Sequence, residues 1–473
     1  MSRLLWTADE RGNRIPDFSN SGYRGADAPL PDVKAVAGLK PESGDATARI
    51  QAALEATARR GGGALVLSRG TYEVSGVLRV PGGVVLRGEG QGADGTILLA
   101  TGTNKRTLIT VGAPARLELE RDVRRVKDDY VPVGARSLRI DSPQALNPGD
   151  TVIVRRIGNM DWIRAIGMDR IKPRPTDPGN TRQWQPFDLD FERVITAVEA
   201  DRITIDAPIT CAIETRWGGG AVIRYRAPER TREAGVENLR GVSTFNRSVT
   251  ARYGREGEPY YSDENHCWSL IGIDGAENCW IRDVTALHMG FACVEIRRAK
   301  WVTVRDCACD EMVSVLTGSR RYPFYVNGQL CLVERCQSNT GRHDFAVGSR
   351  VCGPNVFLEC RAGKSYAYSE PHHRWSVGGL YDNVKANIAV QDRQYLGTGH
   401  GWAGANYVLW NCEGDAICQK PPTAQNWAIG HVGKKLPGSF APREDGIWES
   451  FGRHVEPASL YRWQLSRRRK QTA

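Results

Sequence analysis

No stretch of the 473-residue chain reaches the roughly 18–20 consecutive apolar residues of a membrane-spanning helix, and the mean hydropathy is −0.42. A helical channel or pump is excluded. Lysine is scarce, with 12 Lys and 52 Arg making up the 64 basic residues. None of the 12 Cys stand in CxxC spacing, so neither a zinc site nor a dithiol redox pair is indicated, and the chain is too long for a small disulfide scaffold. The opening Met1-Ser2-Arg3-Leu4-Leu5-Trp6 has no apolar core of a secretory signal. With 41% hydrophobic and 25% charged residues, the composition is globular rather than disordered or fibrous.

What is abundant is arginine, and the net charge is +10. Its planar fork grips carboxylate, sulfate or phosphate through two bonds at once, which favours an acidic partner. The codon bias of a GC-rich genome would give the same excess. The tail Arg467-Arg468-Arg469-Lys470 reads as a solvated, frayed end, and no motif indicates nucleic acid.

Residues 45–60 carry Ile50, Ala53, Leu54 and Thr57 on one helical stripe, stopped by Gly61-Gly62-Gly63. Short alternating runs follow at 64–67, 71–74, 77–80, 84–86 and 96–99, each closed by Gly or Pro, as strands turning corners would be. An amphipathic helix in front of such strands can plug the open end of a solenoid. From 134 to 227 the texture changes to a small antiparallel β insert, with strands at 151–155, 193–198 and 202–205 and a long loop at 158–192.

A repeat then appears. The run Trp280-Ile281-Arg282-Asp283-Val284 aligns with runs ending at Cys307, Cys336, Cys360, Val384 and Cys412, at separations of 23, 29, 24, 24 and 28 residues. Short β runs at this period imply stacked coils. Stacking places the terminal residues in one inward column, so the cysteines read as reduced core residues. The expected division is 1–133 for the N-terminal segment, capping helix and first coils, 134–227 for the insert, 228–415 for the main coils and 416–473 for a C-terminal cap with a basic tail.

The opening Asp45-Ala46-Thr47…Ile50-Gln51-Ala52-Ala53-Leu54, then Gly62-Gly63-Ala64-Leu65-Val66-Leu67, Gly70-Thr71-Tyr72 and Val84-Val85-Leu86-Arg87-Gly88-Glu89-Gly90, resembles the pectate-lyase superfamily. With the repeats, the resemblance covers about two thirds of the chain and implies an all-β, right-handed parallel β-helix with a capping helix and a small inserted β subdomain. The superfamily holds polysaccharide lyases, glycoside hydrolases, epimerases and phage tailspikes, so fold does not fix function. No single catalytic motif of its members matches.

Post-strand segments of successive coils stack into one stripe. Four consecutive ones are rich in Arg, His, acid and aromatic residues, beginning with Arg320-Arg321-Tyr322 and holding four of the chain's 8 His. The expected catalytic residues are His343, His373, Asp344, Glu370 and Tyr368. Substrate binding is expected of Arg342, Arg374, His372, Trp375, Asp392, Arg393, His400 and Trp402. His266 and His288 lie outside the stripe and read as structural. No metal is assigned, because adjacent His372 and His373 point apart and no third ligand spacing is evident. Asp306, Asp310 and Glu311 form either a Ca²⁺ site or a solvated turn.

The leading function is a lyase cleaving an acidic, uronate-containing polysaccharide by β-elimination. It needs a cation on the carboxylate, a base for the α proton and an acid for the leaving oxygen. Arg342, Arg374 or Arg393 can be the cation, His343 or His373 the base, and Tyr368, Tyr395 or a second His the acid. The alternative is a glycoside hydrolase or glycosyl-transferring enzyme using two of Asp344, Glu370, Asp382 and Asp392. A non-catalytic carbohydrate-binding protein is a third reading. The expected partner is an anionic poly- or oligosaccharide. The expected location is secreted or periplasmic, with a signal peptide missing from this chain, or otherwise cytoplasmic.

Overall fold

The computed structural model describes residues 7–254 and 257–472, so the reading of Met1–Trp6 lies outside it. Strands of successive coils pair in parallel and in register. Val304 stands beside Val333, then Phe357, Tyr381 and Leu409, one residue per coil. This is a parallel β-helix. Val284, Cys307, Cys336, Cys360, Val384 and Cys412 follow at one level inside it, all buried in the main core. All twelve cysteines are free and buried. Burial pushes the thiols of Cys267, Cys279 and Cys331 up to about 12.

The residue before each column position is left-handed: Asp283, Asp306, Arg335, Glu359, Asn383 and Asn411 have φ between 49° and 55°. This is a conformation that L-residues resist and Asn or Asp tolerate best. Repeated at one level, it makes the sharp corner after which the next side chain turns inward. The helix Thr47–Arg59 buries Ile50, Leu54 and Thr57 against the first coils, as expected of a cap.

The insert differs from its expected bounds. Its six-stranded antiparallel sheet runs in the order Ser137–Arg139, Arg202–Ile205, Leu189–Glu199, Thr151–Arg156, Gly220–Arg226, Glu118–Arg125, so it begins before 134. The 158–192 segment is not all loop. Asn159 Oδ1 accepts from the Trp162 backbone N–H and caps a helix, Met160–Ala165, that buries Trp162 and Ile163. The insert core is shared with the solenoid through Trp375, Val377, Trp402 and Ala405.

Coils also continue past 415, through Trp427–Ile429 and Ile447–Glu449. The basic tail is not frayed. It belongs to the helix Leu460–Thr472, where Arg468 donates to the carbonyls of Ser19 and Gly25 at 2.9 and 2.7 Å. Asp382 takes the N-terminus of this helix, accepting from Ser459 Oγ at 2.7 Å and Tyr461 N at 2.8 Å. No helix among the described residues is long and apolar enough to cross a membrane.

The acids considered for Ca²⁺ are dispersed. Asp306 accepts from Arg335 at 2.8 and 2.7 Å, Asp310 from Asn339, and Glu311 pairs with His288 at 2.9 Å. Their oxygens are taken by protein donors rather than gathered round one cation. His266 is buried, with its ring nitrogens at 3.0 Å from Ser243 Oγ and 2.9 Å from the Val313 carbonyl.

Candidate active site

Each coil contributes one corner of a cleft of about 580 Å³, and Tyr322, Arg342, His372, His373, Arg393 and His400 line it. Tyr322 precedes the strand Phe324–Gln329, and Phe324 pairs with Phe345 on the next coil, which brings Arg342 and His343 beside it. The following coil carries Glu370 and His372, and the one after it Arg393 and His400. Arg374 and Trp375 are both left-handed, with φ 52° and 54°. Two strained residues in succession are what let Arg374 stay at the cleft while Trp375 turns into the insert core.

The polar groups form one chain. Arg342 Nη2 donates to the Tyr322 hydroxyl at 2.9 Å, and that hydroxyl lies 3.0 Å from His372 Nε2. His372 Nδ1 lies 2.9 Å from Glu370 Oε1. The consistent assignment has Nδ1–H donating to Glu370 and Nε2 accepting from Tyr322. Arg393 Nη1 is also 2.8 Å from His372 Nδ1, but its hydrogens have Glu370 Oε1 at 2.5 Å and the His372 carbonyl at 2.7 Å to bond. His343 Nδ1 reaches Glu370 Oε1 at 3.0 Å and the Tyr368 carbonyl at 2.8 Å. One carboxylate oxygen thus faces three donors.

Burial alone would raise the Glu370 pKa, yet Arg393 and the two imidazoles hold it well below the usual carboxylate range. Burial, then the charge of Arg393, pushes His372 well below the ordinary imidazole value. Burial likewise lowers His373 to about 4 and His400 to about 2. The imidazoles are neutral at neutral pH. Burial raises the Tyr322 phenol. Four buried atoms here have no partner: His343 Nε2, His373 Nδ1, His400 Nδ1 and Arg393 Nε.

A third ligand does accompany Glu370 and His372, since His343 from the preceding coil brings three potential ligand atoms within 4.8 Å of one another. It is a level of the coil, not a spacing in the sequence, that supplies it. A metal nevertheless fits this set poorly. Arg393 already sits on the Glu370 oxygen, and both imidazole Nδ1 atoms point at that same oxygen.

The structure redistributes several expected roles. His343 is 2% exposed and does not line the cleft; it positions Glu370. Asp344 points the other way, accepting from Ser338 Oγ and Ser365 Oγ at 2.5 Å each. Asp392 is buried and accepts from Arg443 at 2.9 Å. Trp375 and Trp402 are buried in the insert core rather than free to stack on a sugar. Tyr368 offers its carbonyl to His343, and its ring is not part of the cleft wall. His372, His373, His400, Arg342, Arg374 and Arg393 are brought together as expected. Tyr322, Tyr325, Arg174 and Arg297 also line the cleft, and sequence reasoning did not name them as site residues. The signal for Tyr322 was its place in the first stripe segment.

No family model matches this chain, and no curated protein sequence matches it. Solved structures do. A tailspike of Acinetobacter baumannii bacteriophage AP22, in complex with A. baumannii capsular saccharide, is 12% identical over 86% of this chain and 63% of its own, with a TM-score of 0.47. A polygalacturonase from Erwinia carotovora is 11% identical over 89% of this chain and 98% of its own, at 0.43. The A-module of an Azotobacter vinelandii mannuronan C-5 epimerase is 10% identical over 88% and 97%, at 0.39. The chain spans 63% of the AP22 tailspike and 56% of the tailspike of Pseudomonas phage LKA1.

Proposed function

We propose that the chain is a polysaccharide lyase that cleaves an anionic, uronate-containing glycan by β-elimination. The observation that carries this is the make-up of the cleft wall. Five arginines (174, 297, 342, 374 and 393), three histidines and two tyrosines line it, with no carboxylate among them. A hydrolase needs two carboxyl groups at the bond being broken. Here Glu370 is held behind His372, Asp344 faces away, Asp392 pairs with Arg443 and Asp382 caps the C-terminal helix.

The chemistry follows from the hydrogen-bond chain. Arg374 and Arg297 grip the uronate carboxylate, which acidifies the neighbouring C5 proton. The Tyr322 oxygen takes that proton as its own passes to His372 Nε2, and Glu370 stabilises the resulting imidazolium through Nδ1–H, the logic of a hydroxyl–imidazole–carboxylate triad. The C4–O bond breaks with its electron pair, a C4=C5 double bond forms, and Tyr322 gives its proton to the departing oxygen while recovering one from His372. Arg342 stabilises the phenolate as it forms. A secreted or periplasmic location accords with such a substrate.

The test is a screen over uronic-acid and neutral polysaccharides, recording unsaturated-product absorbance and new reducing ends. Both signals together, lost in Tyr322→Phe, are expected. Reducing ends without absorbance would overturn the lyase in favour of a hydrolase, and binding without either signal would leave a carbohydrate-binding protein.

A further inference from the structure

Tyr322 does not stand alone. Its backbone N–H donates to the Phe291 carbonyl, and that of Phe291 to the Trp268 carbonyl, both at 2.7 Å. The three residues are therefore consecutive rungs of one column. Phe291 packs on Tyr322 at 5.2 Å and lies parallel to Trp268, 5° between planes at 6.3 Å. Trp268 lies flat over Gly290, where a Cβ would come within 2.4 Å of its ring. Only glycine leaves room for an indole laid along the surface.

Trp268 is half-buried and lines a second groove of about 520 Å³, which meets the cleft at Arg297. Arg79, Lys105, Arg106 and Arg297 stand on its wall with Asp274 and Glu295. Arg297 bonds Glu295, Arg106 bonds the Gly76 and Val74 carbonyls, and Lys105 pairs with Glu264 at 2.9 Å while keeping its ammonium at the groove. Lys105 holds its ammonium 4.3 Å over the Trp268 ring. An aromatic face beside cations is what an anionic sugar ring requires.

The opposite end of the cleft is walled off. Arg182 of the insert donates its N–H to the Thr398 carbonyl at 3.2 Å, Trp184 Nε1 donates to Gly399 O at 3.0 Å, and Arg374 reaches Thr398 O at 3.0 Å. With the insert bonded over that end, a polymer lying in the cleft has an open course past Arg297 toward the N-terminal coils.

We propose that Trp268, with Lys105 and Arg79, forms a second saccharide subsite for an anionic sugar of the same glycan, which leaves the cleft over Phe291 toward the N-terminal coils. This rests on the anionic-glycan reading of the cleft. At about 4.8 Å per coil, Trp268 lies roughly 10 Å from Tyr322, on the order of two pyranose units.

The experiment measures the affinity of the Tyr322→Phe protein, which binds without turnover, for oligomers of galacturonate, glucuronate and mannuronate/guluronate of two to six units. For the oligomer that binds, affinity is expected to rise at least tenfold from two to four units. Adding Trp268→Ala should abolish that rise, Trp268→Phe should restore part of it, and the melting temperature should stay put. Affinity that does not change with length, or a rise that survives Trp268→Ala, overturns the subsite alone. Failure of every uronate oligomer to bind overturns the cleft reading and the subsite with it.

Discussion

Two buried ionic clusters in this molecule can be set side by side. Between insert and solenoid, Glu192 accepts from Arg230 at 2.6 and 2.8 Å and from the Tyr225 hydroxyl at 2.9 Å, while Lys300 donates to Tyr225 at 3.1 Å. None of those side chains has a buried polar atom left without a partner. At the cleft, Glu370 also meets a buried arginine, but the surrounding imidazoles keep unused nitrogens and the cluster ends on Tyr322, which lines the cavity. The first cluster is saturated and belongs to structure. The second keeps unpartnered nitrogens beside a cavity, and under the lyase proposal the substrate meets those that face it. Burial and unusual residues are common to both; what separates them is whether every donor and acceptor already has its partner.

The sharpest way to break this contrast is to cut each cluster once. Tyr322→Phe removes a proton-transfer group and should lower kcat by about 10²–10⁴-fold with the melting temperature unchanged. Arg230→Met leaves the buried Glu192 without its ion-pair partner and with the Tyr225 hydroxyl still donating to it, and should cost about 3–5 kcal/mol of stability, while the folded fraction keeps its turnover. If Arg230→Met instead lowers turnover of folded protein, the two clusters are not separate in role.

A second test uses pH. Because burial and Arg393 hold His372 well below the usual imidazole value, the acid limb of kcat/KM should fall well under the ordinary histidine range. Arg393→Met removes a positive neighbour, so that limb should move upward in pH. An unmoved limb would mean that another group titrates there.

Asp382 makes a third, smaller effect. Burial pushes its carboxyl up to about 7. A group that binds its proton more tightly folded than unfolded stabilises fully below about 4 and loses that contribution as pH rises through its folded value. The melting temperature should therefore decline between pH 5 and 8, and Asp382→Asn should flatten the decline. Smallest of all, Asp344→Asn should keep kcat within about threefold of wild type, since its carboxylate faces two serines; a large loss would return Asp344 to the chemistry.

The solenoid was legible because its register repeats. Once Val284, Cys307, Cys336 and Cys360 are aligned, the inward column and the stripe of loops follow from the period alone. The site was legible only as a neighbourhood. His343 and Asp344 are adjacent, and adjacent residues of an extended segment face opposite ways, so no local signal tells which one serves the cleft. Trp375 and Trp402 look like sugar-stacking residues beside polar groups until the insert, more than a hundred residues earlier in sequence, is seen to cover them. Its own extent was misjudged because Glu118–Arg125 is polar and exposed along most of its length, as an edge strand can be, and carries no apolar alternation to read.

The cysteine column has a consequence in time rather than in space. Cys336 lies against both Cys307 and Cys360, yet all three are sealed from solvent in the finished coil stack. Before the coils close, those same thiols sit on a loose chain at separations of 29 and 24 residues, open to random cross-linking in any oxidising medium. Folding is thus a race between stacking and oxidation. Refolding with a thiol reductant present should return native protein, oxidant added at the start should trap mispaired chains, and oxidant added after stacking should do nothing.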